Sequence, residues 1–347
     1  MLNGGLCFAR AILNHQVPKD FDNHNPQAYL KDVIRKLSLP QPVIGLMTAA
    51  NVSNVSVKVD TYEEKKFISV IVTAGLSNPV TAGDQINTPT LGIGTINLIV
   101  LVDGNLTDGC LVETIKTITE AKTVALKELD IRSSFSKRVA TGTTTDAIVV
   151  ACTCKGEAIG YAGAATRFGR VLSLNVIEAI KEAVRKEENL TPERSLTERL
   201  KELGITLDSL TEAIMELLVY HPNMGSKKEI LDVLNEELCK ALNDVNVASL
   251  VLAGIRLEDD GKNGLIPGLV SNVFSSDPVF LLADEILGMS IANYIAGSKG
   301  IFEFVRFDKA KPGIIKKLGP FLDDVIVGLI AGVSSNMYTK LLTKKRT

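Results

Sequence analysis

A charged stretch at residues 186–199 (KEENLTPERSLTER) divides this 347-residue chain into two halves with different hydrophobic patterns. The stretch contains Pro192 and few apolar residues, which is typical of a domain junction. Before it, apolar runs alternate with helical stripes, whereas after it nearly every apolar pattern has helical spacing. We therefore predict an α+β domain over residues 1–195, with a mixed sheet and packed helices, and an all-α domain over residues 205–345.

The clearest strand and helix signals of the first half lie in residues 94–146. Residues 96–102 form an almost unbroken apolar run, which is typical of a strand buried on both faces. Thr107 or Asp108 is predicted to cap the helix that follows. The apolar stripe of that helix is predicted to consist of Leu111, Ile115, Ile118, Leu126 and Leu129. Lys122 falls on the same stripe, where a lysine must reach water, pair with an acid or project into a polar cavity.

Turns of small polar residues recur in the first half of the chain, at 47–50, 72–75 and 140–143. Such turns leave backbone N–H groups and hydroxyls free to bind anions or amide oxygens. Each one alone reads most simply as a tight turn, but together with Lys122 they indicate a polar pocket. Residues 75–94 are rich in Gly, Pro, Asn and Thr, and they are predicted to form a binding loop.

The remaining elements follow from the same patterns. Helices are predicted at residues 29–39, 167–186, 207–220, 227–242, 247–257, 278–296 and 321–342. Strands are predicted at residues 43–49, 52–59, 67–74 and 147–152. Ser226 and Asp277 are predicted to be the N-caps of the helices that begin after them.

Composition and charge exclude several classes of protein. The chain carries 38 basic and 40 acidic residues without a basic stripe, so a nucleic-acid partner is not expected. Met1 opens no signal-peptide pattern, and no run of about eighteen apolar residues occurs, so we predict a cytoplasmic protein without a membrane span. The five cysteines, including the close pair Cys152 and Cys154, are interpreted as reduced thiols. The sequence is compatible with a homo-oligomer but does not define one.

In the second half, carboxylates occupy positions where the helical pattern calls for apolar residues. Asp284 and Asp324 lie on the apolar stripes of two different predicted helices. Buried acids are unfavourable unless a cation or a proton compensates them. Together with Asp308 and the bases Arg306 and Lys311, they predict a site for a divalent ion and a phosphate group. An internal salt-bridge network of the same residues is the alternative.

Motifs of the first half resemble, in order, the adenosylcobinamide amidohydrolase family. They are LMTAA, VTAGLSNP, AGD, GTIN with LVDGNLTD, TEAK, ATGTTTDA and YAGAATRFG. The resemblance covers roughly residues 2–184 and implies hydrolysis of the amide that joins a corrin-ring propionate to aminopropanol, giving adenosylcobyric acid. One departure is Thr144, where the family more often has glycine, so this turn is expected to be less permissive.

The resemblance also implies the residues of the amidohydrolase site. Catalytic roles fall to Asp146, Lys122, Glu120, Thr141, Thr143 and Asn97. Substrate binding falls to Asn3, Thr48, Thr73, Asn78, Asp84 and Thr119. Asp146 is the preferred general base, and Lys122 would stabilise the oxyanion or hold Asp146 ionised. A threonine nucleophile, Thr141 or Thr143, is the alternative. Glu120 falls opposite Lys122 on a helical wheel, where an acid is often only solvated. No His- or Cys-rich cluster indicates zinc, and no cofactor is assigned to this domain.

Motifs of the second half resemble the phosphatidylglycerophosphatase A superfamily, above all its soluble branch of α-ribazole-5′-phosphate phosphatases. They are LEDDG, ADEILG, FEFVRFDKAKPG and LDDVIVGLIAG, spread over residues 207–335. The resemblance implies a Mg²⁺ site formed by Asp284, Glu285, Asp308, Asp323 and Asp324. It implies phosphate binding by Arg306 and Lys311. Glu258, Asp259 and Asp260 are weaker candidates.

The two resemblances together predict a bifunctional hydrolase of cobalamin salvage that acts on small-molecule substrates. Its second activity would release phosphate from α-ribazole 5′-phosphate or from adenosylcobalamin 5′-phosphate, and the sequence does not decide between them. The alternative is a corrinoid-binding carrier or sensor module fused to a lipid-phosphate phosphatase. Turnover of adenosylcobinamide separates the enzyme from the carrier.

Overall fold

The computed structural model describes residues 1–63, 66–86 and 94–343. By its internal contacts the chain separates into two compact units, Met1–Glu193 and Arg194–Thr347. Each unit contains its own large hydrophobic core. The first unit combines a mixed sheet with helices and the second is helical, so the predicted fold classes are confirmed.

The described part of the first unit forms these strands: β1 (Ala11–Gln16), β2 (Val43–Thr48), β3 (Ser56–Glu63), β4 (Lys66–Ala74), β5 (Pro79–Val80), β6 (Ile96–Val102), β7 (Asn105–Leu106), β8 (Gly142–Thr143), β9 (Ala147–Cys152) and β10 (Ala158–Ile159). Its helices are α1 (Pro26–Lys36), α2 (Asp108–Glu128) and α3 (Arg167–Glu188). The central sheet has the order β3-β4-β6-β9, in which only the β6–β9 pair is parallel.

Strand β6 lies in the middle of this unit and is covered on both faces. Ile96, Leu98 and Val100 are fully buried in the core that the sheet forms with α2 and α3. On the opposite face Ile99 packs with residues of β2 and β9. Leu101 is the exception to the predicted two-sided burial, since it is 38% exposed. Strands β1 and β2 pair in parallel over the second face of the sheet.

Helix α2 begins as predicted, and three residues of its predicted stripe, Ile118, Leu126 and Leu129, are fully buried. Thr107 is its N-cap, and the threonine oxygen accepts from the N–H of Cys110. Ile115 does not belong to the buried stripe, because it is 43% exposed. The buried face contains Cys110, Thr114, Thr117, Ile118, Ala121, Lys122, Ala125 and Leu126. Small residues dominate this face, so the helix can approach its neighbours closely.

Three local predictions for the first unit need correction. Strand β1 was not predicted, because its segment shows no alternation of apolar and polar residues. All of its residues except the last are half-buried. Residues 52–54 form a 3₁₀ turn, capped by the side chain of Asn51, and the strand begins only at Ser56. Within the predicted binding loop, β5 pairs with β8, so part of this segment belongs to a small sheet. Residues 87–93 of the loop lie outside the described residues.

The second unit contains α4 (Leu196–Glu202), α5 (Leu207–Glu216), α6 (Lys227–Leu242), α7 (Val245–Lys262), α8 (Ser271–Phe274), α9 (Ala283–Ala296), α10 (Ser298–Ala310) and α11 (Pro320–Thr343). No strand occurs in its described residues. The predicted cap of α6 is confirmed, since Ser226 and Glu229 form a reciprocal capping box.

The predicted start of α9 at Asp277 is wrong. Asp277 has a φ of +49°, whereas an N-cap residue is usually extended. Residues 278–281 form a turn in which the N–H of Leu281 donates to the carbonyl of Pro278. The helix begins only at Ala283, so Asp284 and Glu285 lie in its first turn. Helix α10 was not predicted at all.

Helices α9 and α11 touch backbone to backbone, and this contact positions the acids of the second unit. A Cβ atom on Gly288 would lie 2.4 Å from the carbonyl oxygen of Asp324. A Cβ atom on Gly328 would lie 2.2 Å from the carbonyl oxygen of Gly288. Both values are far below van der Waals contact, so glycine is required on both sides. The first turns of the two helices therefore lie side by side.

Helix α11 is the core helix of the second unit. Among the described residues it is the single helix that is long and apolar enough to cross a bilayer, and α6 with α7 passes only as a sharply bent pair. However, 72% of the apolar window of α11 is buried within the protein. Such burial is typical of a core helix in a soluble protein.

Candidate active sites

A buried ion pair joins α2 to the turn that precedes β9. The ammonium of Lys122 donates to Oδ2 of Asp146, and the two side chains are only 9% and 10% exposed. Oδ2 also accepts from the N–H of Thr143, at 3.1 Å. Oδ1 accepts from the N–H of Ile96 at 3.0 Å and from the hydroxyl of Thr143 at 2.5 Å. Four donors therefore occupy the four lone-pair directions of one carboxylate.

The ion pair fits because β8 has a glycine next to it. A Cβ atom on Gly142 would lie 2.5 Å from Oδ2 of Asp146 and 2.8 Å from Nζ of Lys122. Any side chain at this position would push the two charged groups apart. The glycine of the small-residue turn is thus needed for the close approach of the ion pair.

Threonine hydroxyls surround the carbonyl of Gly94. The hydroxyl of Thr143 lies 3.0 Å from this oxygen, and the hydroxyl of Thr145 donates to it at 2.9 Å. Thr145 also lies 2.6 Å from the hydroxyl of Thr95. Because a hydroxyl carries one hydrogen, Thr143 donates either to Gly94 or to Asp146, but not to both at once.

A second polar cluster lies at the same end of the sheet. The amide nitrogen of Asn97 donates to the carbonyl of Met47 and to Oδ1 of Asn14, both at 2.8 Å. Asn14 in turn donates to the hydroxyl of Thr73 at 3.0 Å. Thr48 caps the next turn, since its hydroxyl accepts from the N–H of Ala50. The structure thus brings together Thr48, Thr73 and Asn97, as implied by the family resemblance, and adds Asn14 from the unpredicted strand β1.

Three further candidates hold the segment before residue 87 in place. Asp84 accepts from the hydroxyl of Ser133 at 2.5 Å and from the guanidinium of Arg138 at 2.8 Å. Burial by itself would raise the pKa of Asp84, but these hydrogen bonds lower it to about 2. Asn78 donates to the hydroxyl of Thr144, and Thr141 accepts from the N–H of Ala82. These hydrogen bonds connect residues 78–84 to residues 133–144, and they indicate a structural role for the three side chains.

The last three candidates of the first unit lie apart from the ion pair. Thr119 and Glu120 are exposed on α2, and the Thr119 hydroxyl donates to the carbonyl of Ile115 in the same helix. Asn3 is exposed, and its amide donates to the carbonyl of Val43. The structure therefore does not group these residues with Lys122 and Asp146.

A large groove lies along the sheet face that carries Ile71, Ile99 and Leu101. Its volume is about 770 Å³, and Cys7, Cys152 and Cys154 contribute to its wall. The sulfur atoms of Cys152 and Cys154 are 3.7 Å apart, and all the cysteines are free thiols, as predicted. The groove lies beside the carboxyl end of β9, whereas Asp146 precedes the amino end of the same strand. The groove and the ion pair therefore lie at opposite ends of β9.

In the second unit, three carboxylates converge at the contact between α9 and α11. Asp284, Glu285 and Asp324 each have one carboxylate oxygen in this cluster, and the three oxygens lie within 4.8 Å of one another. Asp284 and Asp324 are 1% and 4% exposed. Burial and the neighbouring Glu285 raise the pKa of Asp284 to about 8. Burial and the charge of Asp323 raise the pKa of Asp324 to about 9.

These three carboxylates fit a divalent cation. Oε2 of Glu285 and Oδ1 of Asp324 are buried and have no hydrogen-bond partner among the described residues. Unpartnered buried oxygens are unfavourable, and so are acids that must stay protonated. Hard oxygen ligands of this kind are those that Mg²⁺ prefers. The donor set and its burial are therefore chemically suited to a hard divalent cation.

Lys311 lies beside the carboxylates, directly after α10 in a left-handed conformation with a φ of +45°. Its ammonium is 2.5 Å from Oδ2 of Asp323, 3.0 Å from Oδ1 of Asp308 and 3.8 Å from Oδ1 of Asp324. Burial opposes its charge, but these carboxylates raise the pKa of Lys311 above its usual value. Burial raises the pKa of Asp323 to about 6, although Lys311 acts in the opposite direction. Asp308 and Asp323 therefore pair with the lysine.

Arg306 does not join this cluster, contrary to its predicted grouping with Lys311. Its guanidinium donates to the carbonyl of Leu217 and to Glu303, both at 2.6 Å, and packs on the ring of Phe307. Position 306 lies within α10, so its side chain follows the helix surface, whereas Lys311 lies beyond the helix end.

Glu258 has a role that the spacing of the acidic motif did not reveal. It is 2% exposed, and its Oε2 accepts from the N–H groups of Phe321 and Leu322 in the first turn of α11. A carboxylate is a favourable partner for a helix N-terminus. Glu258 therefore caps α11, whereas Asp259 is half-buried and Asp260 exposed on α7.

Comparison with known proteins agrees with this division of the chain. Residues 1–192 match the model of the adenosylcobinamide amidohydrolase family, and residues 238–339 match that of phosphatidylglycerophosphatase A. An adenosylcobinamide amidohydrolase of Methanosarcina mazei is 33% identical over 189 residues, which are 52% of this chain and 85% of the relative. An uncharacterized protein of Methanocaldococcus jannaschii is 39% identical over 122 residues, which are 33% of this chain and 93% of the relative.

Among solved structures, the low temperature requirement C protein from Listeria monocytogenes is similar to part of the chain. The identity is 30%, and the alignment covers 42% of this chain and 93% of that protein with a TM-score of 0.37.

Proposed function

This chain is a hydrolase that belongs to the adenosylcobinamide amidohydrolase family, and we propose that its first unit cleaves adenosylcobinamide itself. The bond that breaks is the amide between a corrin-ring propionate and aminopropanol, and the products are adenosylcobyric acid and aminopropanol. The observation that carries the proposal is the buried ion pair of Lys122 and Asp146 in contact with the Thr143 hydroxyl. A nucleophile next to a base, which a third group orients, is the arrangement that amide cleavage requires.

The contacts of Asp146 favour Thr143 as the nucleophile. All four lone-pair directions of the carboxylate are occupied, and Thr143 is the only hydroxyl among its four donors. Asp146 would therefore take a proton from Thr143 rather than directly from water. Lys122 would compensate the charge of the carboxylate and hold it in place. This assignment adopts the threonine alternative and keeps Asp146 as general base.

The reaction would proceed in two steps. The Thr143 oxygen attacks the amide carbon, the C–N bond breaks, and Asp146 passes the threonine proton to the leaving amine. Water then attacks the resulting ester, which releases the corrin carboxylate and restores the Thr143 hydroxyl. N–H groups of the small-residue turns would serve as donors to the oxyanion.

A matched pair of substitutions tests the nucleophile. Thr143→Ser keeps a hydroxyl at this position and should retain measurable amide cleavage, whereas Thr143→Val keeps the shape and should abolish it. Mass spectrometry of acid-quenched enzyme should detect the corrinoid ester on the wild-type protein and on Thr143→Ser, but not on Thr143→Val. Full cleavage by Thr143→Val would instead assign the attack to water.

For the second unit we propose a phosphomonoesterase that acts on α-ribazole 5′-phosphate. The supporting observation is the cluster of Asp284, Glu285 and Asp324 with Lys311 beside it. The three carboxylates would hold Mg²⁺, which when bound neutralises charge on a phosphate group. Lys311 would bind the phosphate oxygens, since its ammonium is already placed against the same cluster. Both activities would belong to a cytoplasmic salvage enzyme.

Three substrates distinguish the candidate specificities of this unit. We expect release of phosphate from α-ribazole 5′-phosphate in the presence of Mg²⁺, and slower release from adenosylcobalamin 5′-phosphate and from phosphatidylglycerophosphate. Preference for the lipid would overturn the assignment and support a lipid-phosphate phosphatase. Asp324→Asn serves as the inactive control for all three assays.

A further inference from the structure

A small cavity lies beside the amino end of β9, and it shares no lining residue with the large groove. Its volume is about 200 Å³. Its polar wall consists of Thr48, Thr95, Asn97 and Thr145, and its apolar wall includes Val17, Phe21, Leu46 and Ala147. The liquid volume of about six or seven water molecules would fill it. The cavity is too small for a large ring system, since pockets for drug-sized ligands start at about 300 Å³.

Asn97, a lining residue of this cavity, carries a buried hydrogen-bond acceptor without a partner among the described residues. The side chain is 1% exposed, and its Oδ1 has no hydrogen-bond partner among the described residues. The orientation of the amide is fixed, because Nδ2 lies 2.8 Å from the carbonyl of Met47, which can only accept. The unpartnered atom is therefore the oxygen. A ligand that satisfies it must bring an O–H or N–H group.

The cavity and the ion pair share the same strand ends. Thr95 and Thr145 line the cavity, and each directly precedes a residue of the ion-pair site. Ile96, which follows Thr95, donates its N–H to Asp146, and Asp146 itself follows Thr145. A substrate amide at Thr143 would therefore have this cavity within reach of one of its two substituents.

We infer that this cavity is the subsite for the aminopropanol arm, which is the leaving group of the substrate. This inference rests on the proposed function. Its secondary hydroxyl donates to Oδ1 of Asn97, and its methyl group packs against the apolar wall. The arm is small, branched and carries one hydroxyl donor, which matches a cavity with one free acceptor and mostly apolar surroundings. The corrin ring stays outside. The subsite makes the enzyme specific for the amine that leaves.

A series of corrinoid amides tests the role of the hydroxyl. The amides of 1-amino-2-propanol, of propylamine and of methylamine differ only in the arm. We expect kcat/KM for the propylamide to fall about 10- to 100-fold below that of the aminopropanol amide, because the acceptor on Asn97 stays unsatisfied. In Asn97→Ala this difference should disappear. Equal kcat/KM values for the two amides in the wild-type enzyme would overturn the inference.

Filling the cavity tests the site without changing Asn97. Ala147→Leu should lower kcat/KM for the aminopropanol amide at least about 10-fold more than kcat/KM for the methylamide. The matched control is Ala158→Leu, which changes an exposed residue of β10 and should affect neither amide. An equal loss on both amides, or no loss on either, would contradict the assignment.

Direct binding separates failure of this inference from failure of the proposed function. Saturation-transfer NMR with 1-amino-2-propanol should give a signal with the wild-type protein and none with Ala147→Leu. If adenosylcobinamide is not cleaved at all, the proposed function fails and this assignment fails with it. If it is cleaved but the arm series and the binding signal show no dependence on the cavity, only the subsite assignment fails.

Discussion

Lys122 of α2 and Asp146 of the turn before β9 form an ion pair that is almost closed to solvent, although 23 other residues separate them in the chain. The parallel pairing of β6 with β9 places the turn at the edge of the sheet on which α2 packs. A buried ion pair compensates its desolvation only with good geometry and further hydrogen bonds, and here the N–H groups of Ile96 and Thr143 and the Thr143 hydroxyl supply them to the carboxylate. The pair is therefore positioned by several elements at once.

Breaking one side of this pair should cost more stability than removing both. We expect Lys122→Met to abolish amide cleavage and to lower the free energy of unfolding by about 3–5 kcal/mol, because it leaves a buried carboxylate without its cation. The double variant Lys122→Met with Asp146→Leu should recover part of that loss while it stays inactive. Urea unfolding of the single and double variants measures the difference. A double variant less stable than Lys122→Met would contradict this account of the pair.

Gly142 should be required for amide cleavage although it carries no reactive group. Its replacement by alanine would place a Cβ atom 2.5 Å from Asp146 Oδ2, so the carboxylate must move. Displacement of a catalytic group by about 1 Å costs about 100-fold in rate, and we expect kcat/KM of Gly142→Ala to fall by that amount. Gly160→Ala is the control, since a Cβ atom there meets no other group within 4 Å. Equal activity of the two variants would show that the local space is unimportant.

Mg²⁺ should stabilise the second unit more strongly at pH 8 than at pH 6. The pKa values of Asp284 and Asp324, about 8 and about 9, are raised above those of the unfolded chain. The folded protein therefore holds more protons than the unfolded chain between pH 4 and pH 8, and without metal its stability falls as the pH rises. A bound cation favours the ionised carboxylates and opposes this loss.

Thermal unfolding with Mg²⁺ and with chelator at both pH values measures the effect. Asp284→Asn and Asp324→Asn should each weaken the pH dependence of stability that is measured with chelator. Each should also reduce the stabilisation by Mg²⁺. A shift by Mg²⁺ that is the same in Asp324→Asn as in the wild-type protein would place the metal elsewhere.

Asp84 should contribute to stability rather than to chemistry. Its carboxylate is held by Ser133 and Arg138, and its pKa is lowered to about 2. The stabilisation is complete above the pKa of the unfolded chain and is lost as the pH falls from about 4 to about 2. We expect Asp84→Asn to cost about 2 kcal/mol at pH 7 and progressively less at lower pH. Unfolding by urea at several pH values checks this, and a constant difference down to pH 2 would contradict it.

Patterns confined to one element could be predicted from the sequence. Helix α6 was predicted with its bounds Lys227–Leu242, because Ser226 is a favourable N-cap residue directly before a helical apolar pattern. Lys122 was singled out because a lysine on an apolar stripe needs a partner. Neither signal depends on the rest of the chain.

Contacts between distant elements could not be predicted in this way. Arg306 and Lys311 belong to one motif, but the first lies on the surface of α10 and the second follows it in a left-handed turn. Their separation depends on where the helix ends, which is poorly defined by composition. Asn14 was missed because the half-buried residues of β1 show no alternation. Its role depends on the partners that β2 and β6 bring to it.

We propose that one chain contains two independent hydrolytic sites, one built on Lys122 and Asp146 and one on the carboxylates of α9 and α11. Mass spectrometry of the products from adenosylcobinamide, in parallel with phosphate release from α-ribazole 5′-phosphate, tests it most directly in the Asp146→Asn variant. We expect the wild-type protein to form adenosylcobyric acid and aminopropanol, and Asp146→Asn to form neither while it releases phosphate at the wild-type rate. Formation of adenosylcobyric acid by Asp146→Asn at the wild-type rate would contradict it.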